Sequence, residues 1–129
     1  MMLPETQIRI EHKWAIGVDS DQGLVLANSD SAEERAMAEH ILTSMLKRVD
    51  RSVFLLSQDY IENDGEVSGG YTTYGLDDNG VGVAVNQYNE DLVEPYMDEV
   101  NEIKQQIIDG ELSVPDHEED VPDWAEENL

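Results

Sequence analysis

The chain of 129 residues has no cysteine and few basic residues, and both features limit the functions that it can have. Without cysteine, disulfides, thiolate metal sites and cysteine nucleophiles are excluded. Thirty acidic residues outnumber seven lysines and arginines, which gives a formal net charge of −23. A surface with this charge repels other polyanions, so nucleic acid is excluded as a partner.

Long hydrophobic runs are also absent. No apolar stretch approaches the roughly 20 residues needed to cross a membrane, and the first residues lack the basic and apolar regions of an export signal. As written, the sequence therefore predicts a cytoplasmic chain without signal peptide or anchor. The acidic charge indicates a salt-adapted organism, because molar salt shortens the Debye length to about 3 Å and screens the repulsion. An acidic protein from an ordinary organism is the alternative that composition leaves open.

Sequence patterns for catalysis and metal binding are missing. The three histidines lie far apart and lack the paired spacing of a zinc site. Asp19 and Asp21 match the first two ligand positions of a calcium-binding loop. The third ligand position, however, holds Gly23, and the twelfth position of the loop holds Asp30 instead of glutamate. We therefore predict no metal, no cofactor and no enzymatic activity.

The patterns that are present predict an α/β fold. Residues 14–18 form a short apolar run followed by the polar residues 19–23, which is typical of a buried parallel strand that enters a loop. The pattern of residues 41–47 fits either a helix or a strand, and we interpret the segment as a second strand. Residues 71–76 and 81–85 are two β-prone runs separated by Asp-Asp-Asn-Gly, which predicts a β-hairpin.

Helices are predicted between and after these strands. Ser31 and Glu34 form a plausible capping box for a short helix. Asp50 is the predicted cap of a second helix, which Asn63 and the residues after it end. From Asp91 onward, apolar residues spaced by three and four predict a third helix that Gly110 closes.

Asp19 is a candidate ligand-binding residue because it comes directly after the first predicted strand. In open α/β sheets, ligands bind beyond the carboxyl ends of the strands. An ionised carboxylate accepts hydrogen bonds from both hydroxyls of a vicinal diol, such as that of a sugar. The alternative is that Asp19 only caps the loop that follows.

Four segments, read in order, resemble the C-terminal part of basic membrane protein lipoproteins, a family that includes bacterial purine-nucleoside receptors. They are residues 16–22 with Gly-Val-Asp, residues 41–50 with Thr-Ser-x-x-Lys, residues 74–82, and residues 107–115. The resemblance separates an N-terminal lead (1–12) from a receptor portion (13–115). The acidic, polar composition after Pro115 predicts a disordered tail (116–129) in which Trp124 is incidental.

The resemblance implies one lobe of a type I periplasmic-binding-protein fold, with a mostly parallel sheet, flanking helices and a hairpin. Members close two lobes on a nucleoside and deliver it to an ABC permease from a lipid-anchored position on the outer face of the plasma membrane. It also implies that Asp19 accepts hydrogen bonds from the ribose hydroxyls and that Lys47 is a second ligand-binding residue. For Lys47, an ordinary solvated lysine is the alternative.

The chain also departs from the family. The first lobe, the signal peptide with its lipid-bearing cysteine and the residues that hold the base have no counterpart in it, and residues 23–40 differ from the usual connection. Expected partners are a nucleoside, an ABC permease, and either the missing lobe or a second copy of the chain. Two alternatives to transport stay open: a cytoplasmic interaction or regulatory protein that retains a receptor lobe, and a truncated remnant that binds nothing.

Overall fold

The computed structural model describes residues 13–129, so the predicted N-terminal lead lies outside the described residues. Three strands are present: β1 (Ala15–Asp19), β2 (Ile41–Lys47) and β3 (Val81–Val83). The α-helices are α1 (Gln22–Ala27), α2 (Ala32–Met37), α3 (Val49–Glu62), α4 (Glu90–Val93), α5 (Met97–Ile108) and α6 (Val121–Asn128). Short 3₁₀ turns occupy Ala38–His40, Glu94–Tyr96 and Glu118–Asp120.

The strands form one sheet in the order β1-β2-β3. β1 and β2 are parallel, with Ile16 opposite Thr43 and Asp19 opposite Leu46, whereas β3 runs antiparallel to β2. The predicted α/β class, with a mostly parallel sheet and flanking helices, is confirmed. Because β1 and β2 are parallel, their carboxyl ends lie at the same edge of the sheet.

The first strand was predicted to be buried, and this prediction is wrong. β1 is an edge strand in which Ile16 is 67 % exposed and Val18 is 58 % exposed. An apolar run is typical of a strand that is covered on both faces of its sheet. Within residues 13–129, however, the side chains of β1 are largely open, and β2 is the only strand that pairs with it.

The described part of the chain has a small hydrophobic core. Its buried hydrophobic residues are Ala84 (2 % exposed) and Val93 (7 %). Helix α3 in contrast presents Val53, Phe54 and Ile61 to solvent. Apolar surface of this extent marks faces at which a soluble protein meets a partner or another part of a longer polypeptide.

The helices predicted after Ser31 and after Asp50 are confirmed, with changes at their starts. The Ser31 hydroxyl accepts the Glu34 N–H, but the Glu34 carboxylate contacts Ser29, so the capping box is half formed. Helix α3 begins at Val49, and Asp50 lies in its first turn instead of capping it. There Asp50 accepts hydrogen bonds from the Arg48 guanidinium (2.8 Å), which lowers the pKa of Asp50 to about 2.

The long helix predicted from Asp91 onward is divided in two. Pro95 separates α4 from α5 within a 3₁₀ turn, because proline lacks an N–H and its ring clashes with the preceding helical turn. The C-terminal end agrees with the prediction. Gly110 follows α5 with φ of +75°, and the Glu111 N–H donates to the Gln106 carbonyl, as glycine-terminated helices do.

The predicted β-hairpin is wrong. Residues 71–76 form no strand, and β3 pairs with β2. The turn itself forms, since the Gly80 N–H donates to the Gly75 carbonyl at 2.8 Å. The residues after the turn instead form hydrogen bonds with β2. This pairing continues to Arg48, whose N–H donates to the Gly80 carbonyl. The β-prone run before the turn is therefore left without a strand partner among the described residues.

The acidic tail is helical and not disordered as predicted. Helix α6 has Pro122 in its first turn, where a missing N–H costs nothing, and Asp123 beside it suits the positive end of the helix dipole. The Trp124 indole N–H donates to the Ser113 carbonyl and ties α6 to the segment after α5, so this tryptophan is not incidental. Across residues 13–129, no helix combines the length and the apolar character that a membrane span requires.

Candidate functional site

Asp19 and Lys47, the two predicted ligand-binding residues, meet at the carboxyl ends of β1 and β2. The parallel register places Asp19 opposite Leu46, so Lys47 is the next residue along β2. The Lys47 ammonium lies 2.7 Å from Asp19 Oδ1. Both side chains are open to solvent, with 61 % of Lys47 and 63 % of Asp19 exposed. The fold therefore assembles a charged pair at the sheet edge where ligands of α/β proteins bind.

The exposed Asp19–Lys47 pair contributes little to folding. Surface ion pairs typically stabilise a protein by about 0–1 kcal/mol, since both ions are well solvated and ordering them costs side-chain entropy. The pair uses one carboxylate oxygen, and a carboxylate accepts through two. Hydrogen-bonding capacity at the site is therefore available for a ligand.

The backbone at Asp19 adopts an uncommon conformation, with φ of +82°. Side chains other than those of glycine, asparagine and aspartate rarely occupy this region. The Ser20 N–H donates to the Val18 carbonyl at 3.1 Å and closes a tight turn around Asp19. Strain of this kind is concentrated at functional sites in proteins, where the surrounding structure holds it in place.

Gly17 allows β1, β2 and α1 to approach closely beneath the pair. A Cβ atom at Gly17 would lie 2.5 Å from the Ser44 hydroxyl and 2.6 Å from Cγ of Gln22. Both distances are shorter than van der Waals contact, and Ser44 is almost fully buried. A glycine is thus required two residues before Asp19 for the strands and helix to pack as they do.

The segment after β1 was predicted to be a polar loop, but helix α1 begins there at Gln22. Asp21 caps this helix by accepting the Leu24 N–H at 3.1 Å. The second carboxylate oxygen of Asp21 accepts from the Asn86 amide at 2.8 Å. The helix cap is therefore Asp21 and not Asp19.

Gln22 fixes the turn that carries Asp19. Its side-chain amide donates to the Val18 carbonyl at 3.1 Å and to the Ser20 hydroxyl at 3.2 Å. Its backbone N–H donates to the Ser44 hydroxyl at 3.1 Å. Gln22 and Asp21 thus shape the turn between β1 and α1, and the role of Ser44 in holding it was not predicted from the sequence.

Asn89 links β2 to the segment after β3 at the other end of the sheet, and this role was also not predicted from the sequence. Its buried amide donates to the Leu42 carbonyl (2.9 Å) and the Ala84 carbonyl (3.0 Å), and its oxygen accepts the Asn86 N–H (2.7 Å). These bonds join the start of β2 to the residues after β3. The only local signal is an asparagine that follows a strand, and it does not reveal partners so distant in sequence.

A separate cavity of about 400 Å³ lies at the opposite end of the sheet. It is lined by Trp14 before β1, Ile41 at the start of β2, and Asn86, Tyr88 and Leu92 after β3. These residues flank the amino ends of β1 and β2. Ligands of open α/β sheets bind at the carboxyl ends, so this cavity is the weaker candidate.

A parallel-sheet edge with a charged pair is the kind of surface that binding proteins present to small polar ligands. The family model described as ABC transporter substrate-binding protein PnrA-like matches residues 5–118 of the chain. The chain therefore belongs to this family of substrate-binding proteins.

Several characterised proteins are similar to the chain. A CD4+ T-cell-stimulating antigen of Listeria monocytogenes is 38% identical over 107 residues, which cover 80% of this chain and 28% of that protein. Basic membrane protein D of Borreliella burgdorferi is 31% identical over 106 residues, or 79% of this chain and 27% of the relative. The chain thus spans little more than a quarter of the length of these relatives.

Proposed function

We propose that this chain supplies the sugar-binding side of a receptor that captures a nucleoside for an ABC importer. The observation that carries the proposal is the exposed Asp19–Lys47 pair at the shared carboxyl ends of two parallel strands. Membership in a family of ABC transporter substrate-binding proteins supports the general role. The identity of the ligand is the finer part of the proposal.

The chemistry of the pair suits the two hydroxyls of a ribose. The Asp19 carboxylate accepts one hydrogen bond from each hydroxyl through its two oxygens. Lys47 holds the carboxylate in place through one of its three N–H groups and keeps the others for ligand oxygens. Hydrogen bonds to a charged group are among the stronger ones in water, so the arrangement discriminates a diol from a single hydroxyl.

Capture in this proposal involves no chemical reaction. The described residues form one open surface, so a second surface has to close over the ligand and exclude water. The remaining part of a receptor would supply that surface together with the contacts to the base. The closed receptor would then deliver the nucleoside to the permease at the outer face of the plasma membrane.

Titration by nuclear magnetic resonance tests the proposal on the chain itself, because it detects weak binding. We expect adenosine to shift the backbone amide signals of Asp19, Ser20 and Lys47. 2′-Deoxyadenosine, which lacks one hydroxyl of the diol, is expected to bind at least about tenfold more weakly, the loss of one hydrogen bond to a charged acceptor. Equal shifts with adenine alone, or none at the three amides, would contradict sugar recognition at this site.

We further propose that the protein is adapted to high salt, on the observation of its net charge of −23. Screening in about 3 M KCl relieves repulsion between the acidic side chains. A gain of about 2 kcal/mol would raise the melting temperature by roughly 10 °C relative to dilute buffer, as followed by circular dichroism. Sucrose provides the control, since it strengthens burial without screening charge. An equal rise in sucrose would show that charge screening is not the cause.

A further inference from the structure

Asp19 is the central residue of a three-residue turn. The Ser20 N–H donates to the Val18 carbonyl across this turn at 3.1 Å, and φ of Asp19 is +82°. A turn with this hydrogen bond and a central φ of about +75° is the rare, strained form of the γ-turn. Backbone of this kind persists only where the surrounding structure holds it. The position of the Asp19 carboxylate therefore depends on contacts that other residues make.

The side chain of Gln22 contacts both residues that flank Asp19. Its amide donates to the Val18 carbonyl at 3.1 Å and to the Ser20 hydroxyl at 3.2 Å. The Val18 carbonyl thus accepts two hydrogen bonds, one from within the turn and one from Gln22. Because both bonds come from one planar amide group, they hold the two sides of the turn at a fixed separation.

Gln22 is itself anchored to the strand that carries Lys47. Its backbone N–H donates to the Ser44 hydroxyl at 3.1 Å, and Ser44 is 1 % exposed. Ser44 and Lys47 both lie on β2, as the serine and the lysine of the Thr-Ser-x-x-Lys sequence. One residue therefore connects the strained turn at the end of β1 to the strand that supplies the second charge of the site.

The side-chain contacts of Gln22 contribute little to the overall stability of the fold. Both amide hydrogen bonds are exposed to solvent, where a bond within the protein replaces a bond to water. The pairing of β1 with β2 does not involve this side chain. The effect of the amide is instead local, because its two acceptors lie on either side of one strained residue.

We propose that Gln22 is a positioning residue for ligand binding, which holds the turn at Asp19 in the conformation that presents the carboxylate. The inference rests on the proposed function of Asp19 as a ribose-binding residue. Without the Gln22 amide the turn relaxes toward common backbone conformations, and only a fraction of the molecules then presents the carboxylate. The apparent affinity for the ligand falls in proportion to that fraction.

Gln22→Met tests this role, because methionine is flexible and unbranched like glutamine but has no N–H group. Backbone strain of this kind typically shifts an equilibrium by about 5-fold to 150-fold. We expect adenosine to bind the variant about tenfold more weakly in the titration by nuclear magnetic resonance. The matched control is Gln58→Met, which removes an amide that donates to Glu62 within α3. This variant is expected to bind adenosine as the unsubstituted chain does.

The Cα chemical shift of Asp19 separates positioning from a general loss of structure, because it reports the backbone conformation of that residue. In Gln22→Met we expect this shift to change, while the shifts of Met45 and Val83, which are paired in the sheet, stay the same. Ser20→Ala removes one of the two amide contacts at an exposed residue, so a smaller change in the same direction is expected. This second variant decides the question if Gln22→Met does not fold.

Two results would overturn the proposal. An unchanged Asp19 shift in Gln22→Met means that the amide does not hold the turn. Unchanged adenosine affinity in Gln22→Met, together with weaker binding by Asp19→Asn, means that binding needs no support of the turn. Failure of the ribose-binding proposal is recognised separately, because Asp19→Asn then keeps its affinity for adenosine, and a positioning role for the ligand fails with it.

Discussion

Replacing Asp19 with asparagine is expected to lower nucleoside affinity at least about tenfold, because hydrogen bonds to a charged group are worth about 1.5–3 kcal/mol and 1.4 kcal/mol is a factor of ten. The asparagine side chain has one acceptor oxygen in place of two, so one ribose hydroxyl loses its partner. Asparagine tolerates the positive φ of this position, so the backbone stays as it is. The affinities are compared in the adenosine titration described above.

Two further variants separate the effect of the carboxylate from that of the backbone. Asp19→Ala removes both acceptor oxygens and also places a residue with no polar side chain at φ of +82°, so it is expected to lose stability as well as affinity. Glu66→Gln removes one negative charge from an exposed loop after α3 and serves as the charge control. Asp19→Asn and Glu66→Gln binding adenosine equally well would defeat the assignment of Asp19 as the ribose-binding residue.

Gly17→Ala is expected to destabilise the fold by about 3 kcal/mol, which is a large share of the stability of a small domain. The new methyl group would lie 2.5 Å from the Ser44 hydroxyl and 2.8 Å from Cβ of Gln22. Ser44 would have to turn away, which leaves the Gln22 N–H without its acceptor. Both the overlap and the lost hydrogen bond act against the native packing of α1 on the sheet.

Gly82→Ala is the matched control for Gly17→Ala, since it also adds one methyl group to a strand glycine. No atom beyond its chain neighbours lies within 4 Å of a Cβ placed at Gly82, so the change is expected to be close to neutral. Urea unfolding in high salt, followed by circular dichroism, gives both free energies of unfolding. Similar values for the two variants would mean that Gly17 is not needed for close packing.

The elements that could be predicted from the sequence are those with local signals. The strand at 41–47, the helix that ends at Asn63 and the glycine after α5 depend on neighbouring residues, and the structure has all three. The predictions that failed depend on distant partners. The run at 71–76 has the composition of a strand, but the ladder position beside β3 belongs to β2.

The site shows the same division between local and distant information. Asp19 was selected by its position after the first predicted strand and Lys47 through the family resemblance, and their proximity follows once both segments are parallel neighbouring strands. Ser44 and Asn89 could not be selected in this way. Their hydrogen bonds reach Gln22, 22 positions away, and Leu42, 47 positions away, and nothing in their immediate surroundings identifies those partners.

The frame beneath Asp19 is built from Gly17, the buried Ser44 hydroxyl, which accepts the Gln22 N–H, and the Gln22 side-chain amide, which donates to the Val18 carbonyl. Main-chain atoms are the same in every residue, so substitutions on the outer faces of the helices leave these bonds in place. A lineage that replaced its surface with aspartate and glutamate could therefore do so without moving the strand ends that present Asp19 and Lys47. The composition of the exterior and the geometry of these strand ends are independent in this architecture.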